Sequence, residues 1–204
     1  MTNTENYRQE KLTINLVRAN IFGILISIPI LLLFALPYCL IWRDQFQPDN
    51  LRKLLSGISP GFVYGQTLLV LILLTIGVVL HELIHGLTWA RFTENGFRAM
   101  KFGVIWKMLT PYCHCKEPLN VDQYILGGVM PAVILGIIPC VVAIIIGHFG
   151  LLLLGIFFTM AAAGDFLIIN LLWKEKKDDL VLDHPSEAGC YIYRKVPDNT
   201  SMAN

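Results

Sequence analysis

The stretch "TIGVVLHELIHGLTWARF", residues 75–92, decides how the rest of the chain is read. Around His81, Glu82 and His85 its side chains are apolar or small, and no further charge occurs before Arg91. Such a segment belongs in a bilayer, where ionisable groups are costly and therefore mark functional positions. His81 and His85 are one helical turn apart, so both imidazoles project from one face towards a single point. Glu82 lies beside them, placed to take a proton from a metal-bound water instead of ligating. A His-acid-x-x-His pattern is expected by chance about 0.01 times in a chain of this composition, and this one is H-E-x-x-H. Two histidines with a carboxylate make a hydrolytic ligand set for Zn²⁺, whereas a closed structural zinc site usually recruits cysteines. A polar cluster bonding between helices is the rival reading. It must carry roughly 3 kcal/mol for each acid in the membrane. Zinc binding, at roughly 10–16 kcal/mol in small peptides, is large enough to offset that cost.

Working outward, the 204 residues are 55% hydrophobic and 15% charged, with a mean hydropathy of +0.59. Four stretches, 21–42, 67–90, 124–147 and 150–173, each reach the roughly 20 apolar residues that a bilayer demands. The first is too long for the apolar run of a cleaved signal peptide, and no small-residue cleavage site follows it. The expected fold is an all-α integral membrane protein with four transmembrane helices, forming one metallopeptidase domain over residues 1–204. Pro29, Pro37, Pro131 and Pro139 should kink the first and third helices.

Basic residues set the orientation. One side would hold Arg8, Lys11, Arg91, Arg98, Lys101, Lys107, Lys116 and the tail from Lys174 to Lys195. The other would keep only Arg43, Arg52 and Lys53. This predicts a multi-pass plasma-membrane protein with both termini and the tail, 174–204, in the cytosol. A net charge of +1 and the lack of a basic cluster speak against nucleic acid as a partner. Five cysteines, three of them on the reducing side, do not suggest a disulfide framework.

The third ligand must come from elsewhere, because Thr88 and Arg91 break the longer H-E-x-x-H-x-x-G-x-x-H pattern. Glu94 and Glu117 read as loop residues, which leaves Asp165 as the other acid inside a span. At about 1.5 Å per residue, the motif lies about 12 Å before Arg91 and Asp165 about 13 Å before Lys174. In antiparallel helices that puts them at one depth. A protonated Asp165 bonded to a backbone carbonyl, or a ligand drawn from His114 or His184, stands beside this reading.

A zinc motif in one span and an aspartate in a later one resembles the site-2 protease type of intramembrane metalloprotease. More closely, the chain resembles the bacterial "putative zincin peptidase" family. The matching segments are "HELIHGLTW" (81–89), "PYCHCKEPL" (111–119), "GDFLII" (164–169) and "DLVLDHPSEAG" (179–189). The resemblance implies a membrane-embedded fold, zinc, and His81, His85 and Asp165 as ligands with Glu82 as base.

Between the second and third spans, "FRAMKFGVIWK" and "YCHCKEP" read as a cytosolic β-hairpin turning near Thr110-Pro111. It would either pair with an extended substrate or cap the bundle. Cys113-His114-Cys115 is a weak signal for a second metal, and His114 would serve as an outer partner of the first. "GGVMPAVILG", residues 127–136, has small residues at helix-packing spacing. Asp183-His184-Pro185 reads as a turn after the strand "DLVL". The sequence thus predicts a zinc metallopeptidase acting on a membrane or membrane-proximal protein or peptide, with the lipid bilayer as its surroundings. A non-proteolytic protein with a structural or sensing zinc, or a metal-bearing carrier, are the alternatives. An intact Glu82 disfavours the first, and the lack of repeats disfavours the second.

Overall fold

The computed structural model describes residues 7–13, 16–56, 59–106, 110–184 and 189–195. Lys107, Pro185 and residues 196–204 of the expected tail lie outside them. The chain begins with strand β1 (Tyr7–Thr13) and helix α1 (Leu16–Ile41). A single 3₁₀ turn and the short helix α2 (Pro48–Ser56) lead to α3 (Pro60–Trp89). Next comes the hairpin β2 (Met100–Ile105) and β3 (Thr110–Cys115), then β4 (Leu119–Asn120) and α4 (Val121–Pro131). A π-helical turn at Ala132–Ile137 joins α4 to α5 (Ile138–Ile146). The chain continues through α6 (Phe149–Ala161), α7 (Ala163–Leu172), β5 (Leu180–Asp183) and β6 (Gly189–Lys195).

The protein is mostly helical, at 67%. Three segments are long and apolar enough to cross a membrane: Ile21–Ile41, Pro60–Trp89 and Val121–Ile146. Counting α6 and α7 together as a bent pair makes four. The second begins seven residues earlier than its hydropathy suggests, because Ser59 caps it and Pro60 opens it. The Ser59 hydroxyl accepts from the Phe62 N–H at 3.2 Å, and proline tolerates the first turn. The fourth is not one straight helix over 150–173 but turns by 42° at Ala162. No proline causes this. The Thr159 hydroxyl bonds back to the Gly155 carbonyl at 2.8 Å, which bends a helix, and Ala161 to Gly164 supply no bulk to hold it straight.

The expectation of an all-α fold needs correcting, because a four-stranded antiparallel sheet lies at one end of the bundle. Its order is β1-β6-β5-β4, so it ties the two ends of the described chain to the start of α4. β1 carries Arg8, Glu10 and Lys11 on an exposed edge, a charge pattern that discourages further pairing. Arg194 holds the sheet to the end of α7. It grips Glu175 with two bonds of 2.7 and 2.8 Å, and also contacts Glu10. The hairpin is separate, and its connection lies between Ile105 and Thr110. Thr110 and Pro111 are therefore paired strand residues and not the turn.

The interior has two parts. Ile30, Phe34 and Tyr38 of α1 pack with Cys140, Ala143 and Leu152 of α5 and α6. At the sheet end, Trp89, Tyr124 and Leu172 pack under Leu119, Val181 and Ile192. The motif lies beside this second core.

Candidate metal centre

Helix α3 presents Gly77, His81, His85 and Trp89 as one buried stripe, each four residues from the last. That spacing puts all four on one face. Its neighbours fit the stripe closely. A Cβ on Gly77 would stand 2.0 Å from the Phe158 ring, so only glycine admits α6 there. One on Gly86 would stand 2.6 Å from the Phe102 ring and 3.2 Å from Cys113 Sγ, which lets the hairpin lie against α3.

The bend at Ala162 places Asp165 in the first turn of α7, facing both histidines. Asp165 Oδ2 lies 3.1 Å from His81 Nε2, and Oδ1 lies 3.3 Å from His85 Nε2. Ligand atoms from the three residues fall within 4.8 Å of one another, and among the described residues no other group of three qualifies. The donor set fits zinc. Two imidazoles and a carboxylate are the nitrogen and oxygen donors that zinc takes in sites with an open position.

The other nitrogen of His85 explains the ring's orientation. Nδ1–H donates to the Gly127 carbonyl at 2.9 Å, which leaves Nε2 with its lone pair towards Asp165. In an ordinary helix that carbonyl would accept from residue 131. Pro131 has no N–H to offer, so the carbonyl is released to the histidine. Behind His85 the Trp89 ring stacks at 5.1 Å, and Tyr124 stacks on Trp89 at 5.1 Å. The Trp89 indole N–H donates to the Tyr124 carbonyl at 3.1 Å.

Glu82 is half-buried and opens into a cleft of about 500 Å³, which the motif shares with the hairpin, α7 and β5. Its carboxylate accepts the backbone N–H of Cys113. Two residues along the same side of β3, the Cys115 N–H donates to Asp183 Oδ2 at 2.7 Å. Pro111, two residues the other way, has no N–H. The site-facing edge of β3 therefore has its donors at 113 and 115 engaged, which makes the hairpin a wall of the cleft more than a pairing edge.

The remaining sequence candidates fall around the rim. His114 lines the cleft with its ring 4.3 Å from that of Tyr112, and it is not brought into the group of three. Burial lowers its pKa. Cys113 and Cys115 are buried free thiols, and burial pushes both upward, Cys115 to about 11. His184 is buried against Tyr191. Asp183 does reach the cleft, although it ends a strand instead of forming a turn. Reading residue types alone missed the Gly127 carbonyl, Trp89 and Tyr124. A proline four residues after a glycine, and an aromatic one turn after the second histidine, were the available signals.

No curated protein and no solved structure matches the chain. A family described as "Putative zincin peptidase" matches residues 74–180, which run from the middle of α3 to the start of β5 and hold all three converging residues and Glu82. The motif, its aspartate and more than half of the sequence thus fall within one family match, and the chain belongs to the "Putative zincin peptidase" family.

Proposed function

We propose that this protein is a membrane-embedded zinc metallopeptidase that hydrolyses a peptide bond of a membrane or membrane-proximal protein. The observation that carries the reading is the placement of Glu82. It sits in the cleft beside three converging donors, and a purely structural zinc site has no use for such a group. His81, His85 and Asp165, which all line the cleft, would hold the ion. Bound there, zinc supplies Lewis acidity, acidifying a water and polarising a carbonyl. Glu82 accepts the proton of the attacking water and delivers it to the departing amine. The Cys113 N–H aims its carboxylate, and Gly127 fixes the tautomer of His85. The stacked rings of Trp89 and Tyr124 close the site on one side and exclude water from behind the histidine.

The long apolar helices support a membrane protein, and the sheet draws the N-terminal strand and the tail to the same end of the bundle as the α3 C-terminus. With the basic residues gathered there, both termini face the cytosol of a plasma membrane in this reading. The substrate then enters from the bilayer or from its cytosolic surface.

Glu82→Gln tests the proposal. The amide keeps the shape and the zinc but cannot take a proton, so hydrolysis should fall by at least about 100-fold. Membrane proteomes of cells carrying wild type or Glu82→Gln should differ by substrates that accumulate uncut in the variant. A variant that cleaves at the wild-type rate removes Glu82 as the base.

A further inference from the structure

We infer that Asp183, at the end of β5, is a positioning residue that holds both working parts of the site, His85 and Glu82, from outside the helix bundle. The inference rests on the metallopeptidase reading above.

Each oxygen of the Asp183 carboxylate serves a different element. Oδ1 accepts the Tyr124 hydroxyl of α4 at 2.5 Å, and Oδ2 accepts the Cys115 N–H of β3 at 2.7 Å. Along the first arm, the Tyr124 ring lies on Trp89, and Trp89 lies on His85 with only 17° between the planes. Along the second, Cys115 is two residues from Cys113, whose N–H the Glu82 carboxylate accepts. One carboxylate thus braces the ring behind a candidate ligand and the strand that aims the base. Its own place is set by the tail sheet, where Asp183 pairs with the fully buried Cys190. Burial pushes the Asp183 carboxyl up, so an acid here is costly unless both oxygens are satisfied. A carboxylate offers two acceptors in one plane, which is what two donors from different elements require.

The test measures zinc itself. The purified full chain, stripped of metal in detergent, is titrated with Zn²⁺ against a chelator, and Co²⁺ is added separately to read the visible absorption of the site. Asp183→Ala should weaken zinc binding about 10-fold or more, the range for groups that orient metal ligands, and should shift the Co²⁺ bands. Asp183→Asn keeps one acceptor and can donate to the Tyr124 oxygen, so it should recover most of the affinity, to within about threefold. The control is Asp179→Ala. Asp179 is also buried in the tail, but its carboxylate accepts the backbone N–H groups of Lys176 and Lys195, at 3.3 and 3.2 Å, and reaches neither α4 nor β3 among the described residues. Its loss should lower thermal stability and leave zinc affinity and the Co²⁺ spectrum alone. Wild-type zinc affinity in Asp183→Ala overturns the inference, as does equal weakening in Asp179→Ala. If Asp183→Ala does not fold, Tyr124→Phe breaks one arm only and should still weaken binding several-fold, and an unchanged affinity there overturns it too. A wild-type chain that takes up no zinc overturns the metal reading and this inference together. A zinc-binding wild type with an indifferent Asp183 overturns this inference alone.

Discussion

Two clefts of similar size open along α3, about 500 and 460 Å³, and they share almost no chemistry. The first lies beside the C-terminal half of the helix and gathers His81, Glu82, His85, His114, Asp165 and Asp183. The second lies beside the N-terminal half, between α3 and α6, and is lined mainly by leucines, with His148 at its end. Between them Phe158 rests on Gly77. Every residue of α3 from Pro60 to Leu73 is exposed, while the second half buries one residue in every turn. Both halves belong to one helix long and apolar enough to cross a membrane, and that property does not say which part packs. Packing follows the residues that interrupt the apolar run: the glycines that admit a neighbour and the polar groups that need one.

The comparison is tested most severely by its histidines. His81→Ala or His85→Ala should take the zinc content from about one per chain to near zero, measured by elemental analysis of protein purified without chelators. Asp165→Ala should cut it sharply, and Asp165→Asn less so, because the amide oxygen can still ligate. His148 offers the same side chain in the other cleft, where its Nδ1 only caps α6 by accepting the Leu151 N–H at 3.0 Å. His148→Ala should keep full zinc and cost about 1 kcal/mol of stability. Zinc lost from His148→Ala and kept in His85→Ala would exchange the roles of the two clefts.

What was legible in the sequence tracks how narrowly physics restricts the residue. Spans are legible because a bilayer demands about 20 apolar residues in a row. The depth count along two antiparallel helices brings Asp165 to the histidines, and the structure puts them in contact. It does so across a bend that a continuous apolar run conceals, since alanine and glycine at 161–164 read equally well as straight helix. The sheet was harder. β1 looks like a solvated tail, and its pairing with β6, as in Leu12 with Cys190, joins residues that no local pattern connects. The backbone contributors to the site were the least visible. The Gly127 carbonyl and the Cys113 N–H have no residue letter of their own, and Pro131 betrays the first only by withholding a donor.

A smaller effect separates the two halves of α3 through their glycines. Gly77→Ala forces the buried Phe158 ring to move and should destabilise the protein by about 1–3 kcal/mol, the usual range for overpacking. A Cβ on Gly65 meets nothing within 4 Å, so Gly65→Ala should be neutral or gain up to about 1 kcal/mol from helix propensity. Thermal melts in one detergent, with zinc present, measure both. Equal melting temperatures would mean that Phe158 does not seat on Gly77.

The smallest expected effect belongs to Pro131, and it sharpens the account of why the first cleft orders its histidines. Pro131→Ala restores an N–H that can return to the Gly127 carbonyl and complete a normal helical bond. That carbonyl has two lone pairs, so His85 need not let go, but its acceptor is now shared and the helix is drawn straighter. Zinc affinity should therefore fall only a few-fold, below the 10–100-fold that outright loss of an orienting partner gives. Stability should not fall with it, because alanine suits a helix interior better than proline by about 3 kcal/mol. A more stable protein with weaker zinc binding would separate the two roles of the residue, since a proline kept only for the shape of the bundle would change both in the same direction. Unchanged zinc affinity would mean that the His85 bond to Gly127 owes nothing to the missing donor.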